Sequence, residues 1–277
     1  MTMRYRHTGT LAGRGSGDAH FREGLRALAF DARGRLHAAG DAEVKVFAAS
    51  GALEHRWPAA GPVHAVGIAP DGRVFAGGPG QIEIFDGDGV PLAAWRDPER
   101  LGLVSAIGFS NGDVLAADSR GRAIRRFEAG GRFLNDIGLQ NPRQDFRIPN
   151  GVLDFDVDAE GIIHAANPGK HRVERYTPDG RLLGHFGRFG GPDPAGFSGC
   201  CNPTNVTLGR GLVYVTEKAP PRVKVYAMDG GLDSIVATGS FDPGCKNMDV
   251  AVDARGTVYV ADTVRLSIEI FEPEGAA

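Results

Sequence analysis

The sequence predicts an all-β chain closed into a ring of six four-stranded units. Three recurring markers carry this reading. A turn glycine recurs at Gly34, Gly72, Gly112, Gly161, Gly211 and Gly256. An aromatic then closes a strand at Phe47, Phe85, Phe127, Tyr176, Tyr226 and Phe271, and four residues on stands a second glycine, at Gly51, Gly89, Gly131, Gly180, Gly230 and Gly275. A continuous array of one unit across 277 residues argues for a single closed domain, a six-bladed β-propeller.

The fullest copy spans residues 247–275. Residues 248–252 alternate apolar with polar or small side chains, Asp253-Ala254-Arg255-Gly256 supplies a turn, and residues 257–261 return as the second strand of a hairpin. Residues 267–271 give a third strand. This last unit lacks a fourth strand, and residues 4–12 are expected to supply it, closing the ring and hiding its sheet edges. The blades then run at about 21–60, 61–103, 104–149, 150–200, 201–245 and 246–275. Gly13-Arg14-Gly15-Ser16-Gly17 lacks the helix that a phosphate-cradling loop needs and reads as a connector.

The first three blades begin their inner strands with small and apolar residues, Ala27-Leu28-Ala29-Phe30, Ala65-Val66-Gly67-Ile68 and Ala106-Ile107-Gly108-Phe109, as a crowded inner strand requires. Trp57 and Trp95, six residues past the second marker glycine, take the places of Ile137, Phe186 and Val236 and are expected to pack between blades. His37 and His164 replace the aromatics Phe75, Tyr214 and Tyr259 and read as packed core residues. Gly108-Phe109-Ser110-Asn111-Gly112 spells a nucleophile-elbow pattern but falls on a hairpin turn with no helix after it, so it does not predict a serine hydrolase. The sequon Asn205-Val206-Thr207 lies on a predicted inner strand and reads as structural.

Composition narrows the function classes. With 42% hydrophobic residues and 41 glycines the chain is turn-rich and able to bury a large core, and no stretch is long and apolar enough to span a membrane. A net charge of −3 without a basic, aromatic-studded stripe argues against nucleic acid. Arg4 and Arg6 are not followed by an apolar segment, so no secretory signal is read, and a cytoplasmic location is expected unless the chain is a trimmed form of an exported protein. A monomer is expected.

Blades four to six differ from the rest. Asp154, Asn205 and Asp249 replace Ala27, Ala65 and Ala106, and four residues earlier stand Asn150, Cys201 and Cys245, with Cys200 adjacent. In a propeller, the segment entering the inner strand and the loop after the second strand emerge on one rim. That loop begins at Gly40, Gly78, Asp118, Asn167, Glu217 and Asp262, so Glu217 and Lys218 are expected beside Cys200-Cys201, and Asp262 beside Cys245-Lys246-Asn247. Polar groups converging on the mouth of a ring predict a ligand site.

The units V-Y-V-A-D-T-V-R-L-S-I-E-I-F at 258–271 and V-L-A-A-D-S-R-G-R-A-I-R-R-F at 114–127 resemble the NHL repeat, with weaker copies over residues 21–275. The resemblance implies six blades. It covers peptidyl-hydroxyglycine lyases and lactonase-like propellers as well as protein- and RNA-binding propellers, so it does not choose a function. The lyases resemble zinc enzymes with channel histidines; here His64 stands alone. The strongly basic face of the RNA binders is missing too.

G-C-C-N-P at 199–203 and G-C-K-N-M-D at 244–249 leave three readings open. Cys200, Cys201 and Cys245 are buried hydrophobes or a disulfide staple between blades five and six. Alternatively they ligate copper or zinc, with Asp249 or Glu217 completing the shell. In the third reading, Lys218 and Lys246 activate a thiol. A catalytic site would use Cys201 and Cys245 as nucleophile or ligands, Cys200 as resolving thiol, Glu217 as general base and Lys218 as electrostatic stabiliser. Asn150, Asp154, Asn202, Asn205, Lys246, Asn247 and Asp249 would bind the ligand. The overall expectation is a small-molecule or soft-metal site on the channel rim. The rival is a platform for a protein partner, which should expose an apolar patch.

Overall fold

The computed structural model describes residues 3–141, 145–191 and 193–274; Gly275, the last marker glycine, lies outside them. Among the described residues the strands form six four-stranded antiparallel sheets arranged as a six-bladed β-propeller. Five sheets are built from consecutive strands. The sixth combines Val250–Val252, Val258–Asp262 and Ser267–Pro273 with Tyr5–Ala12, whose Tyr5 pairs with Pro273 and Ala12 with Ser267. The N-terminal strand therefore completes the last blade.

Each sheet has two faces and a neighbour on both sides, so the apolar interior lies between blades. One cluster joins Leu115, Ile124 and Ile137 of blade three to Leu153, Phe155 and Ile163 of blade four, and others repeat this at the remaining junctions. Burial on both faces explains why second strands such as Leu36–Gly40 and Ile163–Asn167 are buried at every position and do not alternate.

The markers have physical causes. The third-strand aromatic is at most 3% exposed in every blade. The outer-strand side chain of the preceding blade packs on it: Trp57 on Phe85 at 5.9 Å, Trp95 on Phe127 at 5.7 Å, Phe186 on Tyr226 at 5.1 Å between ring centroids. The second marker glycine is where that side chain crosses. At Gly89 a Cβ would lie 2.4 Å from the Trp57 ring, and its φ of +88° already favours glycine.

His37 and His164 are fully buried and sit 3.4 and 2.8 Å from the turn carboxylates Asp31 and Asp158. The Ser110 hydroxyl donates to the Gly161 carbonyl of the next blade at 3.0 Å. Among the described residues no helix is long and apolar enough to cross a membrane.

Candidate functional site

The inner strands surround a channel. At one end, the segments entering them form a mouth with a cavity of about 260 Å³, lined by Arg26, His64, Ser105, Asn205, Lys246 and Asn247 among others. Below it the strands themselves enclose about 390 Å³, with Asp154, Asp156, Thr207 and Asp249 on one side and alanine, glycine and apolar residues on the other. Ser105 lines both cavities.

Three residues expected to bind a ligand, Asn205, Lys246 and Asn247, reach the mouth. Asn150 stands behind Asn247, its Nδ2 donating to Asn247 Oδ1 at 2.8 Å. Asn205 is 4% exposed; its Nδ2 donates to Asp249 Oδ1 at 3.5 Å, and its buried Oδ1 has no partner. Burial, then the neighbouring Arg26 charge, lowers the His64 pKa, so its imidazole is neutral at pH 7.

Asp154 and Asp249 line the lower cavity and reach across to the next blade. Val206 N–H donates to Asp154 Oδ2 at 2.7 Å and Leu28 N–H to Asp249 Oδ2 at 2.6 Å; Leu208 N–H does the same for Asp156. Each thus satisfies an inner-edge amide that no strand pairs. Burial pushes the Asp249 carboxyl up to about 7. The same cause, followed by the charge of Asp249, holds Asp154 well above the carboxylate range.

The remaining predicted site residues belong to the rim's framework. Glu217 is fully buried, ion-paired with Arg222 and, at 3.0 Å, with Lys224, and it accepts the Ser198 N–H. A carboxylate so engaged is not free to serve as the expected general base. Asn202 accepts the Lys218 N–H at 2.9 Å and donates to the Lys218 carbonyl at 2.8 Å, tying two rim loops together.

All three cysteines are free thiols. Cys245 is 2% exposed within the apolar cluster between blades five and six and donates its thiol to Asp262 Oδ1 at 3.1 Å. Burial, then that carboxylate, pushes its pKa up to about 11, which makes it a poor nucleophile. Cys200 and Cys201 form a separate pair, sulfur to sulfur 3.0 Å, with Cys200 exposed and Cys201 buried. Burial opposes ionisation of Cys201, but the hydrogen bonds from Cys200 and Lys218 outweigh it and lower its pKa. Among the described residues no three His, Cys, Asp or Glu are grouped to hold a metal ion. The three cysteines therefore do not fit one copper or zinc centre.

Sequence reasoning missed Arg26 and Ser105. Arg26, His64 and Ser105 each stand one residue before the inner-strand alanine of blades one to three, a register that could have marked them. It also missed a charged position two residues before each marker aromatic: Lys45, Glu83, Arg125, Glu174, Lys224 and Glu269. Three of these engage the end of the second strand, Arg125 with Asp118 at 3.0 Å, Glu174 with Asn167 at 2.8 Å, and Lys224 with Glu217. That register explains why Glu217 is buried.

The fold and its channel define a β-propeller with a polar mouth. No protein-family model matches the chain, and no curated protein matches it by sequence. Solved structures do match. The chain is similar to virginiamycin B lyase from Staphylococcus aureus (TM-score 0.62, 13% identity, covering 93% of this chain and 82% of that one). It is also similar to a protein of unknown function from Bacteroides thetaiotaomicron (TM-score 0.72, 15% identity, 95% and 73%) and to the WD40 repeats of RRP9 (TM-score 0.67, 13% identity, 96% and 97%). At these identities the likeness establishes the fold alone.

Proposed function

We propose that the protein binds a small polar molecule at the channel mouth, a hydroxy- or amino-carboxylate by its chemistry. The observation that carries this is Asn205, a buried amide whose Oδ1 has no partner and whose residue lines the mouth cavity. A buried acceptor left unmet costs about 1–3 kcal/mol, which a ligand hydroxyl or amine would recover. Arg26 and Lys246 offer the carboxylate two cations, neutral His64 and Asn247 offer further hydrogen bonds, and Glu23 on the same mouth disfavours a polyanion. A cavity of about 260 Å³ suits a metabolite-sized molecule. The lyase neighbour was solved with quinupristin as a histidine-to-alanine variant described as catalytically inactive. That ligand and chemistry are not transferred at 13% identity.

The platform reading gains no such support. Among the described residues the exposed large apolar side chains are distributed around the ring, Val90 and Leu92 on blade two, Leu139 on blade three, Leu183 and Phe189 on blade four, Ile235 on blade five and Val264 on blade six.

The test is a thermal-shift screen with small hydroxy- and amino-carboxylates, followed by calorimetry of any hit. At least one compound should raise Tm, and Lys246→Ala or Arg26→Ala should weaken it about tenfold, the loss of one charge-assisted hydrogen bond. Asn205→Leu should weaken it similarly. If none binds at millimolar concentration, or binding ignores all three substitutions, the proposal fails.

A further inference from the structure

Outside the mouth, the rim loop of blade five holds Cys200 and Cys201 with their sulfurs 3.0 Å apart, about one ångström more than a disulfide bond of about 2.05 Å. The two thiols are unequal. Cys200 is exposed and its pKa is held up by the hydrogen bond to Cys201, while Cys201 is 4% exposed and, against the opposing effect of burial, its pKa is lowered by Cys200 and the neighbouring Lys218 charge. Lys218 is held there because Asn202, next in sequence to Cys201, bonds both its N–H and its carbonyl. Cys245 takes no part, being bonded to Asp262 in an apolar cluster.

We propose that Cys200 and Cys201 form a thiol–disulfide exchange site for low-molecular-weight disulfides, with Cys200 as the attacked-and-attacking outer thiol and Cys201 as the resolving one. This reverses the roles expected from sequence, because only Cys200 is accessible to a co-reactant. Cys200 gives its proton to solvent and its sulfur attacks one sulfur of the disulfide, a mixed disulfide forms, and the first small thiolate leaves and is protonated by solvent. Cys201 then gives up its proton to solvent, its thiolate held by Lys218, and attacks the Cys200 sulfur. The second small thiolate leaves. The balance is one protein dithiol oxidised to a disulfide and one small disulfide reduced to two thiols.

Adjacent residues place their Cα atoms about 3.8 Å apart across a trans peptide, below the usual 4.4–6.8 Å of a disulfide, so the ring formed is strained and readily reduced. Such a bond exchanges and does not staple. That distinguishes it from a structural link between blades.

The experiment incubates the intact protein with glutathione and glutathione disulfide at stepped ratios, traps with acid and alkylation, and reads tryptic peptides by mass spectrometry. Cys200 and Cys201 fall on the peptide 189–210 and Cys245 on 225–246. The wild type should lose two hydrogens on the first peptide, with little lasting glutathione adduct, and the change should reverse with excess glutathione. Cys201→Ala should stall with glutathione on residue 200, and Cys200→Ser should leave the peptide unmodified. Cys245→Ser should behave as wild type, and Lys218→Met should slow loss of the adduct about tenfold. Circular dichroism confirms that each variant is folded, and if Cys201→Ala is not, Lys218→Met with the wild type decides the matter. A lasting adduct on wild-type Cys200, or a link from either residue to Cys245, would overturn the proposal.

Discussion

Blades one to three and blades four to six join the same ring with a different balance of backbone contact and side-chain bridges. In the first half close backbone approach at glycines carries most of the joints, with Asp41 the exception, its carboxylate accepting the N–H groups of Arg22, Glu23 and Gly24. A Cβ on Gly40 would lie 2.0 Å from the Gly24 carbonyl oxygen, one on Gly78 2.3 Å from that of Pro62, and one on Gly108 2.8 Å from the Phe155 ring. In the second half, side chains span the gaps. Asn167, Glu217 and Asp262 tie the entry loops through the N–H groups of Arg147, Ser198 and Asp242, while Asp154 and Asp249 tie adjacent inner strands. Blade three stands at the border, with alanine on its inner strand and Asp118 at its rim. Close backbone contact leaves little free polar surface, whereas bridging polar groups put carboxylates and amides into the channel. The polar side of the channel is therefore a by-product of how that half is joined, and Asn205, left with an unmet acceptor, is where it exceeds that need.

The largest effect should come from breaking a bridge. Glu217→Ala strips the carboxylate from Arg222 and from the fully buried Lys224 and should cost about 3–5 kcal/mol in denaturant unfolding. Adding Lys224→Met should restore most of the loss, since the uncompensated buried charge causes it. A single-variant loss below about 1 kcal/mol would mean that the bridge is not what holds blade five's rim, contradicting the usual penalty. The matching test on the other half is Gly40→Ala. The obstacle there is backbone, which cannot rotate away, and about 1–3 kcal/mol should be lost to local displacement. A neutral Gly40→Ala would show that the first half is not joined by contact.

The fold was legible because its markers answer to local geometry that recurs six times. A turn glycine such as Gly72 needs φ of +86°, and an aromatic such as Phe85 must meet the preceding blade's Trp57. The rim was legible in outline: Asn205, Lys246 and Asn247 reach the mouth, Lys218 lies beside Cys201, and Cys245 meets Asp262. What sequence position alone could not resolve is side-chain direction. Cys201 and Cys245 occupy equivalent places in the repeat, yet one joins Cys200 and the other turns into the inter-blade core, because its nearest partner is Asp262 and not a lysine. Equivalence in a repeat fixes the backbone, and the neighbours decide what the side chain does.

The smallest effect is one of pH, and it separates the halves because the positions equivalent to Asp249 in blades one to three are the alanines Ala27, Ala65 and Ala106. Asp249 has a folded pKa of about 7 against about 4 for an unfolded aspartate. The folded state therefore binds the proton more tightly. The stability this group contributes is complete below about pH 4 and is lost as pH rises through 7, the sense required when the native state holds more protons than the unfolded one. Asp249→Asn removes the charge, keeps an acceptor for the Leu28 N–H, and relieves Asp154 of a repelling neighbour. The stabilities of the two proteins should nearly coincide near pH 4, separate between pH 4 and 7, and above pH 7 differ by a constant amount, with the variant more stable by about 1–2 kcal/mol. Parallel curves across that range would mean that Asp249 ionises as it would in water, and that the bridging half of the channel bears no electrostatic cost for its carboxylates.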